Sequence, residues 1–472
     1  MKAKYFKSLS IACLIIATTS SCKKEVQVGV PVTQLVTTSV FSNDNTATAA
    51  QLSIYAQMSS FPWNVHRSTA LSSDELTNYS ADMTSRDMYK NALSALLDAG
   101  SIPIWSTAYN YIYQVNAIHE NLQGSTAISA KVKQQLDAEA LFMRAYFYFY
   151  LVNFYGDVPL VTTTDYKINA TLPRTSKTQV YQQIISDLKR AQVSLNPDYV
   201  DATDTSVTLD HIRPTTWAAT ALMARAYLYS GKYDSAEMQA TTIISSPKFK
   251  LPADLTKVFL KNSDEAIWQL TPASALFCTA DGASLILNAA PNASSTSNST
   301  TVSPQLMAAF ETGDQRKSVW INSYTSGANT WNFPYKYRDN NNATTLKEYT
   351  MMLRLAEQYL IRAEARIQQG NSNGAIADLN VIRNRAGLSN YAGTTDQTAI
   401  LAAIGHERQV ELFTEGDRWS DLKRTKNIDI VMGGLNGACA AKGGAWDTNQ
   451  QLYPLIVTDI QNNANLVQNS GY

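Results

Sequence analysis

Four histidines, His66, His119, His211 and His406, stand alone, and none has a metal-ligand spacing such as His-Glu-x-x-His. Neither a Gly-rich phosphate loop nor a Gly-x-Ser-x-Gly turn is present. The adjacent Asp74 and Glu75 are the residue types that glycoside hydrolysis uses in pairs. Their setting reads instead as a helix start, with Ser72 or Ser73 as cap and the acids facing the macrodipole. A second charged run, HERQVELFTEGDRWSDLKRT from His406 to Thr425, alternates in sign. Glu407 and Glu411 fall on one helical face, which would suit an acidic ligand-binding surface. The alternation favours a salt-bridged helix pair broken at Gly416 with Trp419 packed inside. No catalytic constellation emerges.

The N-terminus supplies the setting. MKAKYFKSLSIACLIIATTSSC has Lys2, Lys4 and Lys7, a short apolar run and small residues ending at Cys22. That is the layout of a secretory signal over residues 1–21, too short in its apolar part to cross a bilayer. Thr19-Ser20-Ser21-Cys22 resembles a bacterial lipobox, which would make Cys22 the lipidated first residue of the mature chain. An ordinary secreted protein with an incidental Cys22 is the other reading. Loss of three lysines from 39 basic and 39 acidic groups leaves a net charge near −3. Such a balance gives no reason to expect nucleic acid as a partner. Cys278 and Cys439 are the remaining cysteines, and sequence leaves their pairing open.

Residues 22–50 read as an aperiodic tether. Beyond it, helical periodicity dominates a chain long enough to bury a large core. Helices are expected at 104–122, 177–195, 214–230, 233–245, 353–369, 374–385 and 398–413. Another is expected through Leu136, Ala140, Met143, Phe147, Tyr150 and Phe154. That last stretch, LFMRAYFYFYLVNFYGDVPLV, carries aromatics on all its sides, as a helix buried among others does. Three helices share a central Arg-Ala: ALFMRAYFY, ALMARAYLY and QYLIRAEAR. The second and third run through a Gly-bearing turn into an alanine-containing helix, the layout of a tetratricopeptide-type hairpin. Irregular spacing embeds these hairpins in a larger globule. Strand character is minor, at Lys250–Leu270, Trp331–Tyr337 and Gln451–Ile456. Asp281–Ser303 and Arg338–Thr345 are long polar loops.

AEALFMRAYFYFYLVNFYGDVPLV resembles the signature of the SusD/RagB family of Bacteroidetes outer-membrane lipoproteins. SSDEL, the Trp105/Tyr109/Asn116 spacing, Arg213-Pro214-Thr215 and NSDEAIWQL follow in the family's order. So do the Phe310/Asp314/Arg316 spacing, LRLAEQYLIRAEA, DLNVIRNRAGL, the charged run and the terminal LVQNSGY. The resemblance implies a mostly α-helical fold with tetratricopeptide-like hairpins, occupying 51–472. It divides into an N-terminal half to about residue 270 and a C-terminal half over 271–472. It further implies a lipid-anchored binding protein, not an enzyme, at the outer membrane that captures oligosaccharide for a SusC-like TonB-dependent transporter. One branch of the family takes peptides, and a glycoside hydrolase is a more distant alternative. No cofactor or metal is called for.

A glycan needs flat apolar rings for its C–H faces and polar neighbours for its hydroxyls. Family contacts come from two variable regions, here SSFPWNVHRS and WINSYTSGANTWNFPYKY. They nominate Trp63 and Trp331, then Tyr324 and Trp320, with Asn64 and Asn332 as hydroxyl partners. Core packing remains the competing role for each. Trp217 and Trp419 lie in amphipathic helices and are assigned to the core.

Overall fold

The structure, a computed structural model, describes residues 40–204, 206–272, 277–295 and 297–472. The signal peptide, Cys22 and most of the expected tether lie outside the described residues. Helix α1 (Asp44–Gln57) begins inside the stretch expected to be tether, capped by the Asn43 side chain accepting from Thr46 N. The expected boundary at residue 50 is therefore too late. Helix α2 (Phe61–Ser72) follows, with Pro62 in its first turn, where a missing N–H costs nothing. Asp74 and Glu75 come after α2 and before β1 (Leu76–Asn78), so they follow a helix instead of starting one. Asp74 takes a bidentate Arg418, at 2.8 and 2.7 Å.

Four long helices come next: α3 (Ile104–Gly124), α4 (Ala130–Tyr155), α5 (Lys177–Ser194) and α6 (Thr216–Tyr229). Each packs on the next, and α6 continues onto α7 (Tyr233–Ile244). The chain then crosses through β2 (Ala266–Leu270), α8 (Ala280–Leu285), β3 (Thr300–Val302) and α9 (Gln315–Val319). A hairpin of β4 (Ile321–Ser326) and β5 (Asn329–Pro334) leads to β6 (Thr350–Arg354). Helices α10 (Leu355–Gln368), α11 (Ser372–Arg385), α12 (Gln397–Leu412) and α13 (Arg418–Arg424) complete the main elements. α10 packs on α7, and α11 on α10, which continues the helical stack across the sequence gap.

The shared Arg-Ala pattern has a structural reason. Arg144 of α4 forks onto Asp187 of α5, at 2.8 and 2.7 Å. Arg225 of α6 does the same to Glu357 of α10, and Arg362 of α10 to Asp378 of α11. The small alanine beside each arginine lets the paired helices close, and the fork fixes their register. Every residue from Ala138 to Gly156 is buried, so the aromatic stretch is a core wall. Phe147 meets Phe61 edge-on at 5.1 Å and Tyr146 meets Trp268 at 5.3 Å. Gly156 at φ 73° ends α4 in the left-handed region that glycine tolerates. The terminal segment closes back there, with Asn469 Nδ2 donating to Tyr155 O and Tyr453 O. Gln451–Ile456 forms no strand. Trp419 is fully buried between α13 and its neighbours, while Trp217 is only half-buried. Cys278 and Cys439 are separate buried thiols.

Candidate functional site

The β4–β5 hairpin rises from a charged but buried base. Arg316 in α9 bonds Asp314, Glu407 and Glu411, all shielded from solvent. Trp320 is 1% exposed and donates its indole N–H to Leu255 O at 3.1 Å. It roots the hairpin in the core, so its expected place among surface ligand contacts is corrected. At the other end Lys336 turns inward, 4.0 Å from the Phe413 ring centroid and 5.0 Å from that of Trp320. Its ammonium donates to Glu411 O, Phe413 O and Glu415, and burial pushes its pKa down to about 8.

Six cross-strand pairs run from Ile321↔Pro334 to Ser326↔Asn329. Gly327, at φ 60°, makes the two-residue turn, as a type II′ connection requires at its first position. Alternation sends Tyr324 and its direct partner Trp331 to the same face. Their rings lie 6.5 Å apart and 31° from parallel, both half-buried. Below them pack Ile286, Leu287 and Phe333, with Tyr335 alongside. Asn332 falls on the opposite face, where it accepts from Ser323 Oγ at 2.7 Å. Asn332, expected as a hydroxyl partner, thus lies on the face opposite Trp331.

The loop carrying Ile286 and Leu287 is shaped by Asn298. Its Oδ1 accepts from Asn288 N and Ala289 N, and its Nδ2 donates to Asn288 Oδ1. The strand line of β1 extends onto this loop through Tyr79 N to Ser299 O and Ala81 N to Ala293 O. β3 pairs with β1 and lies against β5, so loop, β1 end and hairpin form one continuous surface. Tyr79, at the end of β1, is 38% exposed.

Trp63 and Asn64 sit on α2, not on a loop. Trp63 packs against the main core and Asn64 is half-buried. The structure joins α2 to the hairpin region indirectly: His66 Nδ1 meets Asp281 Oδ1 of α8 at 2.8 Å, and Ile286 follows directly. Among the described residues Trp63 makes no ring pair with Tyr324 or Trp331. Sequence reasoning missed the Ile286–Leu287 shelf. The signal was there in the loop PNASSTSNSTTVS, whose length and polarity stood out without pointing to its neighbours. Elsewhere a groove of about 810 Å³ runs between the α6–α7 turn and α12–α13, walled by Glu364, Arg408, Asp421 and Arg424. Those charges already pair with one another.

The hairpin surface offers flat half-exposed rings, amides and hydroxyls, with no carboxylate within Trp320–Tyr335 or Gly282–Phe310 to act as acid or base. Rings and amides of this kind are the groups that a polyol would meet. Comparison with known proteins agrees with the architecture. A sequence model described as the SusD family matches residues 295–472, and one described as "Starch-binding associating with outer membrane" matches 32–228. The chain belongs to the SusD family. SusD-like protein P25 of Formosa agariphila is 26% identical over 379 residues, 68% of this chain and 69% of that protein. Starch-binding protein SusD of Bacteroides thetaiotaomicron is 37% identical over 128 residues, 26% of this chain and 21% of that one. A SusD superfamily protein from Bacteroides vulgatus superposes with TM-score 0.79 at 18% identity, covering 92% of this chain and 100% of that one. That likeness speaks for the fold of this SusD-family chain.

Proposed function

We propose that this SusD-family chain is a surface lipoprotein that captures an oligosaccharide on the hairpin face and passes it to a SusC-like TonB-dependent transporter. The observation that carries the reading is the Tyr324–Trp331 pair: two adjacent, half-buried rings on one face of the hairpin, packed on Ile286, Leu287 and Phe333. Sugar C–H faces stack on such rings, and rigid two-torsion side chains lose little entropy on binding. The starch-binding description of one matching family model, and the starch-binding relative in Bacteroides thetaiotaomicron, support a carbohydrate ligand. The same description supports an outer-membrane location, with lipidated Cys22 as the anchor. No observation favours the peptide alternative. Binding of this kind uses stacking and hydrogen bonds and involves no chemical step.

Calorimetry with malto-oligosaccharides and a glycan array tests the reading. Trp331→Ala is expected to weaken binding at least about tenfold, equivalent to ~1.4 kcal/mol, and Tyr324→Ala somewhat less. Both variants should unfold at the wild-type temperature. Unchanged affinity in both would move the site off the hairpin.

A further inference from the structure

The hairpin surface has no charge, and this narrows its ligand. Three stretches contribute to it: Leu76–Ala81, residues 282–295 with 297–303, and Ile321–Tyr335. None contains Asp, Glu, Lys, Arg or His, in a chain that is 17% charged. Most charges that bound these segments are buried or paired, and Arg338 is a cation at their edge. Asp281 is buried on His66, Lys336 is buried under the hairpin, and Glu311 is held by Arg383. Arg338 lies over the Tyr335 ring at 5.0 Å and donates to Val319 O. Asp82 is held by Ser85 N. The partly exposed rings on the hairpin are Tyr324 and Trp331, among asparagine, serine and threonine.

We infer that this surface selects an uncharged glycan, one without uronate or sulfate groups. The inference rests on the reading of the hairpin as the ligand face. An anionic sugar brought onto it would lose water from its carboxylate or sulfate and find no cation within these segments, only Arg338 at their edge over Tyr335. A neutral sugar meets no such cost, since its hydroxyls exchange water for amides and hydroxyls of similar strength. Binding without ion pairs is also insensitive to screening. The charged groove between α6 and α13 is a different environment, and it gives the test a contrast.

The experiment is calorimetry on the full chain with two probe sets. Malto-, laminari- and manno-oligosaccharides are the neutral set; oligogalacturonides and chondroitin sulfate oligosaccharides are the acidic set. Each is measured at about 0.02 and about 0.5 M salt, with wild type and Trp331→Ala. The expected result is binding to a neutral probe, lost by at least tenfold in Trp331→Ala and changed less than twofold by salt. Acidic probes that bind better than neutral ones, weaken with salt and still need Trp331 would overturn the neutral selectivity and leave the hairpin as the ligand face. Binding of any probe that ignores Trp331→Ala would overturn both readings.

Discussion

Trp320 and Trp331 stand eleven positions apart in one polar segment, and side-chain type cannot separate them. The difference is made by what the strand reaches: Trp320 enters a cluster with Phe259 and Phe413, while Trp331 lies on the outward shelf. Trp320→Ala should therefore cost about 3–5 kcal/mol in urea unfolding, a loss that Trp331→Ala should not share. Asn332 lies opposite Trp331 because sequence neighbours in a strand point to opposite faces. The pair Tyr324 and Trp331 was legible as aromatic, but their adjacency needs the two-residue turn at Gly327–Ala328. A pH effect belongs to this scale too. Burial and the neighbouring Asp74 push the Glu75 carboxyl up to about 8, against 4.5 when unfolded. The folded state then holds a proton that the unfolded state releases. Its stabilising contribution is full below the unfolded value and is lost as pH rises through the folded one. Glu75→Gln should gain on wild type in urea midpoint as pH goes from about 5 to about 8. Parallel profiles would show that Glu75 does not titrate in this window.

At the level of elements, the long helices were legible almost to the residue, because their apolar stripes are strong. The aromatic helix was legible as buried from its all-round apolar surface. Helices α1 and α2 were not. Asp44–Gln57 is rich in Thr, Ala and Gln, with a weak apolar stripe, and Pro62 reads as a break although it sits in a first turn. The acidic run was legible as ion-paired, but not its partners. Glu411 is reached by Arg316, Arg354 and Arg385 from three other elements, and Arg354 also takes Glu265 and Glu415. Those carboxylates depend on the guanidinium for neutralisation. Arg354→Ala should destabilise the chain by about 3–5 kcal/mol, since it leaves buried acids uncompensated. Equilibrium denaturation measures this, and a loss under 1 kcal/mol would mean water enters to solvate them.

For the whole molecule, the two halves suggested by sequence are not separable bodies. β2 from the first half pairs with β6 from the second, and Arg225 reaches across to Glu357. The helical stack itself runs from α7 to α10 over the intervening hairpin region. A fragment ending near residue 270 should thus fail to fold: its amide exchange should be unprotected in α6 and α7, and co-expression with the remainder should restore protection. Native-like exchange in the isolated fragment would refute this interlock. The β4–β5 turn behaves in the opposite way. Thr325 to Thr330 is exposed throughout and makes only the Thr325–Thr330 side-chain contact within the hairpin. Doubling the length of a flexible loop adds only about 0.6 kcal/mol of closure entropy. Lengthening at Gly327 would accordingly change the reach over a ligand while leaving the rest of the molecule intact. Descendants of one frame can diverge in appetite by editing a few codons there, and an engineer can graft there for the same reason.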